Sequence, residues 1–145
     1  MTADESSEPV LIIRRTIAAT RERVFDAWLD PTKLARFMHP GDVTRAIAEV
    51  DARVGGRFRI VMEHGRGDAD HYGTYLVIEP PSLLSFTWIS GSTDGRPTTV
   101  TIELRARADG TTDLLLTHRG LPERTFDAHE HGWTAIVDTL KKILT

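Results

Sequence analysis

The sequence predicts an α+β fold: a curved antiparallel sheet in the order β-α-α-β6-α, gripping one long C-terminal helix. Three observations carry this prediction. Residues 55–118 run as a train of alternating strands with little between them. Residues 127–144 place Trp133, Ile136, Val137, Leu140, Ile143 and Leu144 at helical spacing, so one helix face is apolar. Strands joined by tight turns make an antiparallel meander, and only that helix and a short N-terminal pair can cover its apolar face.

Each element follows in order. Val10 to Ile17 is β-branched and apolar, tempered by Arg14-Arg15, and reads as the first strand. Thr20 suits a helix N-cap, with Val24, Phe25 and Trp28 on one face after it. Asp30-Pro31 ends that helix and starts a second, whose apolar side is Leu34, Phe37 and Met38. His39-Pro40-Gly41-Asp42 is a turn. Val43 to Val50 is a strand, and Asp51-Ala52 to Gly55-Gly56 turns the chain back. Arg57 to Glu63 alternates, with Phe58, Ile60 and Met62 on one face.

A polar loop is expected from His64 to Asp70, then a strand from Tyr72 to Ile78 stopped by Pro80-Pro81. Leu83 to Ile89 puts Leu84, Phe86 and Trp88 on one face, and Gly91 to Pro97 is a longer, mobile loop. Val100, Ile102, Leu104 and Ala106 alternate with Thr101, Glu103, Arg105 and Arg107, the cleanest half-buried pattern in the chain. Ala108-Asp109-Gly110-Thr111 is a hairpin turn, after which Leu114, Leu116 and His118 share a face. Asp127, three residues before Glu130, predicts a capping box for the last helix.

Composition bounds the function classes. With 145 residues, 40% hydrophobic and 27% charged, residues 9–145 are expected to form one globular domain behind a flexible acidic tail, residues 1–8. A net charge of −3 argues against a nucleic-acid partner. Without cysteine there is no disulfide, thiolate nucleophile or cysteine-bound metal. The N-terminus lacks the basic start and apolar run of a signal peptide, and no stretch approaches the roughly 18 apolar residues of a membrane span. A cytoplasmic protein with no membrane partner is expected.

A sheet curled around a helix leaves room at its mouth, and concave apolar gaps are typical small-ligand sites. The inward positions supply the candidate cavity wall. Trp28 and Phe37 form a far lid. Phe58, Ile60, Met62 and His64 come from one strand, Phe86 and Trp88 from another, and Leu116 and His118 from the last. The helix adds Trp133, Ile136, Val137 and Leu140. Tyr72 and Tyr75 are also candidates, but strict alternation cannot turn both inward, so one faces out or a bulge intervenes.

His118 is the one candidate acid/base group, to be weighed against a histidine hydrogen-bonded within the core. His129 and His131 are two apart on a helix and face different sides, so a shared metal is not expected. Asp68, Asp70 and His71 fall in the polar loop rather than in a ligand set. No nucleophile elbow, phosphate loop, dinucleotide fingerprint or HExxH motif is present, and no cofactor or metal is expected.

The landmarks have a familiar order. They are Arg23-Val24-Phe25-Asp26-Ala27-Trp28 with Asp30-Pro31; Gly55-Gly56-Arg57-Phe58; Gly73-Thr74-Tyr75; Pro80-Pro81 through Phe86-Thr87-Trp88; Thr112 to His118; and Gly132-Trp133 to Leu140. In this order the chain resembles the START-like (SRPBCC, helix-grip) superfamily, and within it bacterial relatives of the activator of heat-shock-protein-90 ATPase. The resemblance covers nearly all of residues 9–144. It implies a hydrophobic cavity, often a homodimer, and a link to the stress response. Eukaryotic activators carry a separate N-terminal domain that engages the chaperone, and the resemblance here is to the C-terminal type of domain alone.

Three functions follow as expectations. The first is non-catalytic binding of a small apolar molecule. The second is a cyclase or dehydratase using His118, for which no carboxylate stands on the same inner face, since Asp113 points outward by period. The third is a chaperone-associated interaction module.

Overall fold

A computed structural model describes residues 9–145. The expected tail, residues 1–8, lies outside the described residues. The elements are β1 (Leu11–Ile17), α1 (Arg21–Leu29), α2 (Pro31–Phe37), β2 (Arg45–Val50), β3 (Arg57–His64), β4 (Gly67–Glu79), β5 (Leu83–Trp88), β6 (Thr98–Ala106), β7 (Thr112–Arg119) and α3 (Phe126–Leu144). All seven strands join one antiparallel sheet in the order β1-β7-β6-β5-β4-β3-β2. Strands β2 to β7 form the expected meander. β1 closes beside β7, with Leu11 opposite His118 and Ile17 opposite Thr112.

The helix starts follow local chemistry. The Thr20 hydroxyl accepts from the Arg23 N–H at 3.3 Å, capping α1. Asp30 then caps α2, accepting from Thr32 N–H at 2.8 Å and Lys33 N–H at 3.2 Å, with Pro31 in the first turn. The two short helices bury Val24, Phe25, Trp28, Leu34 and Phe37. α3 buries Trp133, Ile136, Val137, Leu140 and Leu144 against the inner face of the sheet, each stabilising by roughly 1.5–3 kcal/mol.

Three local expectations are corrected. The polar loop from His64 to Asp70 is a tight turn over Gly65-Arg66. His64 pairs with Gly67, and β4 runs on through Asp68, Asp70 and His71. Charged residues there belong to a strand's outer face: Arg59 grips Asp70 with bonds of 3.0 and 3.1 Å. The loop from Gly91 to Pro97 is tied down by a 3-10 turn, Gly91–Thr93. The buried Thr93 hydroxyl accepts from Ser90 N–H at 3.0 Å and donates to the Arg96 carbonyl at 2.8 Å. The capping box at Asp127 is absent: a 3-10 turn, Glu123–Thr125, leads directly into α3, so Asp127 already lies in the helix's first turn.

Two glycines allow close approach. Gly55 has φ +82°, which turns the chain into β3. At Gly73 a Cβ would lie 1.9 Å from the Thr87 carbonyl oxygen and 2.8 Å from the Phe58 ring. The bare backbone there lets Phe58 lie flat across β4. Alternation on β4 then fixes the tyrosines: Gly73 and Tyr75 are buried, while Tyr72 is exposed. The strand's irregularity falls later, between Tyr75 and Val77.

Candidate functional site

The inner face of the sheet carries a connected set of aromatic rings. Phe58 stands 5.3 Å from Phe86, 5.4 Å from Tyr75 and 6.1 Å from Trp88, centroid to centroid. Trp88 meets Trp133 of α3 at 4.9 Å, and Trp133 meets Trp28 of α1 at 6.4 Å. Trp28 ends the row edge-on to Phe37 at 5.1 Å. These rings fill most of the room expected between sheet and helix. What remains is a surface cleft of about 140 Å³ and an inner gap of about 10 Å³.

The cleft opens where β3, β4 and β5 meet the N-terminal half of α3. Met62, Trp88, Trp133 and Ile136 make its apolar floor, Pro40 its rim, and Ser92, His71 and His129 its polar wall. The inner gap lies deeper, among Trp28, Leu34, Met38, Phe58, Ile60, Tyr75, Phe86 and Trp88. Phe37, Leu116, Val137 and Leu140 are buried core side chains that line neither space.

His118 is fully buried beside the cleft, with both ring nitrogens engaged. The Trp133 indole N–H donates to Nδ1 at 2.9 Å, so Nδ1 carries no proton. Nε2 therefore bears the hydrogen and donates to the Thr98 hydroxyl at 2.7 Å. That hydroxyl donates in turn to the Trp88 carbonyl at 2.6 Å. Burial, with a smaller contribution from His129, pushes the His118 pKa down to about 3. The ring is neutral, and its nitrogens present nothing to a substrate.

Two other histidines face the cleft. His71 Nδ1 lies 3.3 Å from the Ile60 carbonyl, and His129 Nδ1 lies 2.8 Å from the Thr125 carbonyl. A carbonyl can only accept, so both Nδ1 atoms hold the hydrogen. In the neutral ring each Nε2 then keeps its lone pair. Burial lowers both pKa values, opposed in each case by the bond to the carbonyl. His71 stacks on Trp88 at 4.9 Å, and His129 meets His118 edge-on at 5.3 Å.

The sequence expectations distribute unevenly over this geometry. Met62, Trp88, Trp133 and Ile136 meet at the cleft; Trp28, Phe58, Ile60, Tyr75 and Phe86 meet at the inner gap. Tyr72 does not belong to the interior, because it stands on the outer face. His64 sits at the hairpin tip, where Nδ1 accepts from the Arg66 N–H at 3.3 Å, away from the cleft. His71 and His129 were missed. His71 was hidden by the expected loop, although counting back by twos from Tyr75 reaches it. His129 lies four residues before Trp133, on the same helix face.

Larger depressions on the outer face, of about 430 and 750 Å³, are lined by charged side chains. Among their arginines, Arg59 pairs with Asp70 on the outer face and Arg15 reaches Asp138 of α3, both as surface pairs.

Comparison with known proteins agrees with this architecture. Protein CV1439 from Chromobacterium violaceum has a solved structure that superposes with a TM-score of 0.83 at 25% identity, covering 93% of this chain and 96% of that one. CalU16 from Micromonospora echinospora gives 0.71 at 26% identity, over 94% and 76% of the two chains. Protein NE0264 from Nitrosomonas europaea shares the fold at 0.78 and 23% identity, over 95% of each chain. Among curated proteins nothing matches. The model of the family "Activator of Hsp90 ATPase homolog 1-like protein" matches residues 18–145. With the helix-grip order, the packed sheet and helix and this family match over most of its length, the chain belongs to the activator of Hsp90 ATPase homolog 1-like family.

Proposed function

We propose that this protein binds a small, largely apolar molecule in the cleft between the sheet and α3, without turning it over. The observation that carries the proposal is the composition of the cleft: an apolar floor of Met62, Trp88, Trp133 and Ile136 beneath two imidazoles whose Nε2 atoms are open acceptors. Such a site favours a flat apolar body with one hydroxyl to donate to a histidine. The cleft volume of about 140 Å³ suits a fragment of about ten heavy atoms, smaller than the usual drug-sized occupant.

Catalysis through His118 has no support in this geometry, because both its nitrogens are bonded and buried. Calorimetric titration with 5-indanol and its hydrocarbon counterpart indane tests the proposal. We expect 5-indanol to bind on the order of 0.1–1 mM and indane roughly tenfold more weakly. If 5-indanol shows no binding at millimolar concentration, the proposal fails.

A further inference from the structure

Among the described residues, one buried side-chain polar atom has no hydrogen-bond partner: the indole Nε1 of Trp28. Trp28 is 2% exposed and lines the inner gap, whose other walls are the aliphatic and thioether side chains Leu34, Met38 and Ile60 and the rings of Phe58, Tyr75, Phe86 and Trp88. Leaving such a donor unpaired is costly, and a phenylalanine would pack there without the cost. Trp133, buried in the same junction, shows the contrast, since its Nε1 is matched to His118.

The gap and the cleft are neighbours. Trp88 lines both. Met38 walls the gap, and Pro40, two residues on, rims the cleft. Met38 is an unbranched thioether with three rotatable bonds, the kind of wall that moves at low cost. A longer ligand reaching from the cleft past Trp88 toward Trp28 needs such an adaptable wall to give way.

We infer that Trp28 is the donor of an inner subsite that reads a hydrogen-bond acceptor, such as a carbonyl oxygen, at the far end of the bound molecule. This rests on the proposed cleft and deepens it. The occupant is two-ended: a hydroxyl donates to His71 or His129 at the mouth, an apolar body lies along Trp88, and an acceptor oxygen meets Trp28. The inner gap has room for about one water molecule.

The test pairs 5-hydroxy-1-indanone with 5-indanol, which differ only in the carbonyl. In the wild type we expect the ketone to bind roughly tenfold more tightly, one hydrogen bond's worth. In Trp28→Phe the two should bind alike, with 5-indanol unchanged. An NMR titration of the wild type needs no variant: the Trp28 indole N–H resonance should move downfield with the ketone and stay put with 5-indanol. Equal binding of both probes to the wild type, or a Trp28 resonance unmoved by the ketone, would overturn the inference while leaving the cleft proposal standing. No binding of either probe would overturn both.

Discussion

Trp133 Nε1 donates to His118 Nδ1 at 2.9 Å, and this one bond ties α3 to the last strand of the sheet. It also sets the tautomer of His118, and so directs Nε2–H to Thr98 and Thr98 to the Trp88 carbonyl. A side chain that looked like a candidate acid or base is instead the middle of a satisfied buried chain.

Cutting this chain should cost stability. Thr98→Val keeps the shape but leaves His118 Nε2–H and the Trp88 carbonyl without their partner. A loss of about 1–3 kcal/mol is expected in urea unfolding with an unchanged m-value. Trp133→Phe should cost a similar amount plus lost packing. The double variant should lose less than the two single losses together, since both break one network.

Stability should depend on pH in a defined direction. The folded His118 stays neutral down to about pH 3, while the unfolded ring takes a proton near its ordinary value of 6.5. Between those values the unfolded state holds the extra proton, so stability is full above about pH 6.5 and falls as the solution is acidified. His118 alone sets a slope of about 1.4 kcal/mol per pH unit well inside that window. His71 and His129, also shifted down, add in the same sense. Unfolding midpoints at pH 7, 6 and 5 check this, and a flat profile would contradict it.

Gly73→Ala should be severe for a one-carbon change. Its Cβ would meet the Thr87 carbonyl oxygen at 1.9 Å, which is backbone and cannot swing away. Overpacking of this kind costs about 3 kcal/mol or more. Circular dichroism and thermal unfolding would register it; an unchanged midpoint would mean that β4 and β5 can part there freely.

The polar wall of the cleft makes its own prediction. His71→Phe keeps the ring against Trp88 but removes Nε2. Affinity for 5-indanol should fall up to tenfold, shared with His129, while affinity for indane holds. Calorimetry on both probes separates a lost hydrogen bond from a damaged cleft.

Much of the fold was legible because its periodicities are strong. The β6 alternation from Val100 to Leu104 and the α3 face from Trp133 to Leu144 each repeat several times and stand as expected, while Ala106, at the end of β6, is exposed where the alternation turned it inward. Elements failed where polar residues hide a strand. Gly67 to His71 reads as loop chemistry, but pairing with β3 supplies what local preference lacks. That single misplacement concealed His71; Tyr72 stayed a candidate because alternation alone does not say which of Tyr72 and Tyr75 faces inward. The inner space was overestimated for a different reason. Periodicity tells which side chains point inward but not how completely Phe58, Phe86, Trp88 and Trp133 fill the volume between them.

The cleft beside His71 and His129 is the proposed ligand site. An NMR titration with 5-indanol, following the histidine ring and tryptophan indole resonances, tests it most directly. Shifts are expected at His71, His129 and Trp88, with His64 and the outer-face Tyr72 unmoved. No shift at millimolar probe, or shifts confined to the outer face around Tyr72, would contradict it.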